Sequence, residues 1–177
     1  MRTTYIVLIT LLCLLLLGFL YIFTGIFNPS ALVPHTKLTL WVINKTRDNS
    51  VERRDRNIVV PALNDSALIV TGFEHYNEMC VICHSAPGIK PSEIARGLYP
   101  HPPLIYKYGS TMEPAEAFWI IKNGLKLTGM PAFGETHSDE KIWAVTAFVT
   151  HKLENMTPEE FKEWQLKYQE NEVMDDD

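Results

Sequence analysis

The chain has 177 residues, with 21 acidic and 16 basic side chains, a formal net charge of −5 and 46% hydrophobic residues. That length allows one small domain with attachments, and the acidic balance excludes nucleic acid as the expected partner. Only three cysteines are present, too few for the disulfide framework of a small exported domain.

Residues 3–27 carry no charge and are dominated by Leu, Ile, Val and Phe. As a helix this segment would extend about 37 Å. A hydrocarbon core needs about 30 Å, so a tilted span is expected. A cleaved signal peptide has a shorter apolar region, roughly 7–15 residues, closed by a small-x-small site. No such site follows here, and Leu12 before Cys13 argues against a lipoprotein. Residues 1–27 are therefore expected to be an uncleaved transmembrane anchor. Arg2 and the amino terminus lie on its short side, which favours an orientation with the N-terminus inside and the rest outside.

Asn28-Pro29-Ser30 is the expected helix stop. Residues 28–66 hold six basic and four acidic groups, whereas residues 67–177 hold nine basic and 17 acidic. Within the basic part, residues 37–57 combine Leu38, Trp41 and Val42 with Lys45, Arg47, Arg53, Arg54 and Arg56. Two readings stand side by side. One is an amphipathic helix at the membrane surface, with Trp41 at the headgroups and arginines toward anionic lipid. The other is a solvated helix packed on the following domain. Residues 58–63, broken by Pro61, read as an extended connection.

Asp65 or Ser66 is placed to cap a helix running through Tyr76 to the cysteines. From Ser85 to Met112 the five prolines at 87, 91, 100, 102 and 103 exclude a long helix, leaving one short turn over Ser92–Arg96. So long a loop in a small domain usually wraps something or carries function. The next helix starts with Pro114 in its first turn and ends at Gly124. After a loop over 125–137, Ser138 caps a helix to about Leu153, with Asp139 and Glu140 favourably placed in its first turn. Thr157-Pro158-Glu159-Glu160 opens a last helix with a stripe of Phe161, Trp164 and Tyr168. That stripe is expected to pack on the same domain rather than on a partner. Asp175, Asp176 and Asp177 are expected to fray.

Cys80-Val81-Ile82-Cys83-His84 is the attachment motif for a c-type haem. On one helical turn the two thiols reach the two vinyl groups of one haem, and the adjoining His84 turns its imidazole to the iron. A zinc site would need two more good ligands, and the chain has no other cysteine nearby. A dithiol redox pair would call for a parallel sheet, and no strand pattern is visible. The second axial ligand is expected to be Met130, in the loop Gly129-Met130-Pro131-Ala132-Phe133-Gly134, where Gly129 and Pro131 shape a turn that presents the thioether. Histidine with methionine fills both axial positions and raises the potential. Met79, Met112, Met156 and His101 are poorer candidates. His75, His137 and His151 are expected at the surface.

The region from Ser66 to Leu153 resembles class I cytochrome c, a small all-helical haem domain. Gly72 and Tyr76 lie eight and four residues before Cys80, the offsets of the family's first helix. Trp143, Ala144, Ala147 and Phe148 match the helix that crosses it. The basic segment and acidic tail are similar to those of bacterial membrane-anchored monohaem cytochromes. The resemblance implies one covalently attached haem c. It also implies a backbone carbonyl of Pro102 or Pro103 on the far nitrogen of the axial histidine. Phe118, Trp119, Ile121 and Phe133 are expected to wall the haem.

The expected architecture is thus all-α, a class I cytochrome c-like domain preceded by one transmembrane helix. It divides into an anchor (1–27), a juxtamembrane amphipathic helix and linker (28–64), the haem domain (65–155), and a C-terminal helix with acidic tail (156–177). The expected function is one-electron transfer on the periplasmic side of the cytoplasmic membrane, without catalysis, between redox protein donors and acceptors. Alternatives are a fixed haem subunit of a larger respiratory or photosynthetic complex and, further off, a haem sensor or peroxidase.

Overall fold

A computed structural model describes residues 2–175. The chain divides into two compact units, residues 1–34 and 35–177. Helices are the only regular elements among the described residues, apart from an isolated bridge between Ala86 and Ile89.

The first unit is helix α1, Arg2–Phe23, with a mean hydropathy of 3.0 and no buried residue. At 1.5 Å per residue its 22 residues rise about 33 Å, still enough to span a hydrocarbon core. The helix stops earlier than the expected Asn28-Pro29-Ser30. Gly25 adopts φ +67°, a left-handed conformation that glycine enters without the Cβ penalty and that ends helices.

The second unit opens with α2, Lys37–Asp55, whose N-terminal cap is the Thr36 hydroxyl accepting from the Thr39 amide at 3.2 Å. It packs on α6, Pro114–Asn123, and turns Val51 inward at 3% exposure. The packed-helix reading is therefore correct for one face. Residues 58–65 are extended, as expected, with Leu63 buried.

Helix α3, Ser66–His75, is capped by Asp65, whose carboxylate accepts from the Ala67 amide at 2.9 Å. It continues without a break through a widened π turn, Tyr76–Cys80, into α4, Val81–His84. The π turn was not expected. The Val81 amide reaches back to the Tyr76 carbonyl, five residues rather than four, and such turns are frequent at functional sites. Helix α5, Glu93–Gly97, is the short turn foreseen in the proline-rich loop, capped by Ser92. Helix α6 ends at Gly124, φ +63°. Helix α7, Asp139–His151, begins after Ser138, although that hydroxyl makes no bond to the helix amides. Helix α8, Pro158–Asp175, closes the chain. Asp176 and Asp177, part of the tail expected to fray, lie outside the described residues.

The packing is organised by the crossing of α3 and α7. Gly72 lies so close to α7 that a Cβ there would overlap the Ala144 carbonyl and the Phe148 side chain. Around this crossing Phe73, Tyr76, Phe148, Leu153 and Phe161 form the core. Phe73 meets Phe148, Phe161 and Trp164 edge-on, with centroids 5.2–5.6 Å apart, a favoured aromatic geometry. The stripe on α8 is thus directed at its own domain: Phe161 is buried at 1% exposure, and the Tyr168 hydroxyl donates to Glu78 at 2.6 Å. Gly72→Val should be strongly destabilising, because the obstruction is backbone and cannot move aside. A loss of about 3 kcal/mol or more, seen as a lowered thermal midpoint, is expected, and a midpoint equal to wild type would refute the close crossing.

Candidate haem site

Cys80, at the end of the π turn, and Cys83 and His84, on α4, are brought together where the helix that begins with α3 ends. Both cysteines are half-buried and form no disulfide. Burial, reinforced by Cys83 alongside, pushes the Cys80 thiol up to about 12. A buried, raised thiol lacks the depressed pKa typical of reactive redox dithiols.

His84 is oriented from behind. Its Nδ1 lies 2.8 Å from the Pro103 carbonyl oxygen. A carbonyl can only accept, so Nδ1 carries the proton and Nε2 keeps its lone pair free for a metal. Burial holds the imidazole below its ordinary pKa, partly opposed by this hydrogen bond, which keeps the ring neutral and able to ligate. Of the two prolines considered, Pro103 is the one that supplies the carbonyl.

The chain then leaves sharply. Ser85 has φ 58°, unusual for a residue with a Cβ, and its carbonyl accepts from the buried Tyr76 hydroxyl at 2.7 Å. Tyr76, at the aromatic offset from Cys80, therefore fixes the exit of the strained turn. Burial drives its phenol well above the ordinary value, so it remains a donor.

Met130 lies in a loop braced at both backbone atoms. Its amide donates to Thr128 Oγ1 at 3.1 Å, and its carbonyl accepts from the Leu125 amide at 3.3 Å. The Met130–Ala132 backbone passes so near Gly124 that a side chain there would collide with it. Leu98 covers Gly129, where a Cβ would strike its methyl groups. Leu98 follows α5, whose cap Ser92 also donates to the Ile82 carbonyl within the cysteine motif. Two ordinary residues, Ser92 and Leu98, thus join the cysteine turn to the Met130 loop. Ser92 was legible as a helix cap, but its bond to Ile82 was not.

Ile121 and Phe133 line one small pocket with Met79, Cys80, His137 and Lys141. Phe118 stacks on Trp143, centroids 4.0 Å apart. The surface expectation for two histidines needs correction. His75 is only 15% exposed, and its ring meets that of the half-buried His137 edge-on at 5.7 Å. The π turn and the loop before α7 bring them together. His151 is exposed, as expected.

The donor set fits an iron porphyrin: two unpaired thiols one turn apart, a neutral imidazole with its far nitrogen fixed, and an apolar wall. Residues 67–149 match the family described as cytochrome C oxidase, cbb3-type, subunit III. No curated protein and no solved structure gives a significant match. The matched segment includes the Gly72–Ala144 crossing, the cysteine motif and the Met130 loop. Residues 67–149 are a c-type cytochrome domain of the all-helical class I kind, carrying one covalently attached haem c.

Proposed function

We propose that this chain is a membrane-anchored monohaem electron-transfer protein acting on the outer side of the cytoplasmic membrane. Cys80 and Cys83 hold the haem, and His84 Nε2 and the Met130 thioether ligate its iron. The observation that carries the reading is the Nδ1 bond of His84 to Pro103 at 2.8 Å, which prepares the imidazole next to the two thiols for one metal-directed nitrogen. When bound, the haem supplies a single site that alternates between ferric and ferrous states. The chain's own part is to keep both axial donors in place, exclude water and present an edge to redox partners, with no side chain required for substrate or proton chemistry.

Helix α1 supports the anchor. Its apolar surface holds by burial in hydrocarbon, which salt does not screen. The protein should therefore stay in membranes through a high-salt wash. A variant beginning at His35 behind a cleavable signal, which keeps α2 on α6, should be soluble and retain its haem. Recovery of native protein lacking residues 1–27, established by intact mass, would show α1 to be a signal sequence.

A second reading is a fixed haem subunit of a larger respiratory complex, favoured by the cbb3-type description of the matched family. Extraction in mild detergent separates the two readings: a carrier elutes alone with one redox wave, whereas a subunit elutes with its complex.

A further inference from the structure

Helix α2 has two apolar faces, and only one is accounted for by its own domain. Leu40, Ile43 and Val51 are half-buried or buried on the side that packs toward α6. Leu38, Trp41 and Val42 are 70%, 65% and 46% exposed. At about 100° per residue the two groups point in opposite directions. A helix that merely lay solvated on its domain would be polar on the outer side.

The charges beside this outer face have one sign. Lys37 and Lys45 flank the three side chains, and no Asp or Glu occurs between residues 24 and 47. Further along, Arg47 pairs with Asp48, Arg54 bonds Ser50, and Arg56, just past α2, pairs with Glu52. No ion pair among the described residues engages Lys37 or Lys45. A cationic, apolar surface bearing a tryptophan therefore stands on a unit that is otherwise acidic.

We propose that this outer face of α2, formed by Leu38, Trp41 and Val42, rests on the headgroups of an anionic membrane. The inference depends on α1 being an anchor. Thirteen residues, 24–36, separate α1 from α2, a reach of at most roughly 45 Å, so the lipid surface is always within range and docking is an intramolecular event. Trp41 suits the boundary between acyl chain and headgroup. Lys45 can lay its aliphatic stem on the same surface and keep its ammonium among phosphates. Three side chains form too small a patch for a stable protein interface, which buries about 800 Å² per partner. The docked helix would restrict the angles at which the haem domain, fixed to α2 through α6, meets partners in the same membrane.

The test uses the full-length holoprotein in vesicles, either zwitterionic or partly anionic, with lipids brominated near the headgroup or deep in the chains. Flotation with the vesicles after an alkaline wash establishes the anchor. The emission difference between wild type and Trp41→Phe isolates Trp41 from Trp119, Trp143 and Trp164. Shallow bromine should quench this component more than deep bromine, and more strongly in anionic vesicles. Replacing Lys37 and Lys45 by Gln should lower the docked-to-free ratio about fivefold for each charge removed. Protein that floats while Trp41 emits equally with and without bromine overturns the proposal and leaves the anchor standing. The same quenching loss, together with protection of Trp41 only when a copurifying protein is present, would assign the face to that protein instead. Protein that fails to float removes the anchor, and this inference with it.

Discussion

Met130→Ala should convert a closed haem into an open one. If His84 and Met130 both ligate the iron, as proposed, no position would be left open, and the wild-type reduced protein should bind carbon monoxide poorly and show negligible peroxidase turnover. Removing the thioether should permit stoichiometric carbon monoxide binding. It should also lower the potential by on the order of 0.1 V, a modest part of the roughly 0.8 V that axial ligands command, because the thioether favours ferrous iron. The fold should survive. Met130 is held by backbone contacts to Thr128 and Leu125 that an alanine keeps, and the α3–α7 crossing lies elsewhere. Rapid stoichiometric binding of carbon monoxide to the wild type would reject Met130 as a stable ligand and revive the sensor or enzyme alternatives.

The replacement of both Cys80 and Cys83 by Ser should have the larger structural effect. The region 65–155 is about 90 residues long, a size at which a single core is marginal. Its aromatic core is gathered on one side, where α3 and α7 meet through Phe73 and Phe148 and are closed by Phe161 of α8, from outside that region. Toward the cysteine turn the protein offers Ile121, Phe133 and Met79 around Cys80, and the long segment from Ser85 to Met112 contributes only short turns. The haem-free variant should therefore keep part of its far-ultraviolet helical signal from α3, α7 and α8. It should lose near-ultraviolet aromatic structure and a cooperative thermal transition, the behaviour of a compact but unfixed state. His84→Ala, which leaves both thiols, should retain covalent haem while losing the native axial spectrum. A cooperative transition of the double variant near the wild-type temperature would mean that the polypeptide alone specifies the fold.

The local elements were legible because they rest on local rules. Asp65, Ser92, Thr157 and Pro114 mark helix beginnings by side-chain and backbone chemistry that acts within a few residues, and each begins a helix where the sequence indicated. The stop of α1 was placed too late, because Gly25 in a left-handed conformation ends it before the proline is reached. The cysteine–histidine motif named the cofactor because the attachment chemistry itself has a fixed spacing.

What the sequence by itself determined was therefore the helical class, an apolar segment long enough to span a membrane, and the kind of prosthetic group. Tertiary structure decided which of two prolines turns its carbonyl to His84, and that α8 closes its own core. It also decided that His75 and His137 are neighbours and that α2 exposes a second apolar face. Caps and attachment motifs are set by residues within a turn of each other. A carbonyl 19 positions from its imidazole, or the side of a helix left uncovered, depends on how separate elements pack, which no short-range pattern encodes.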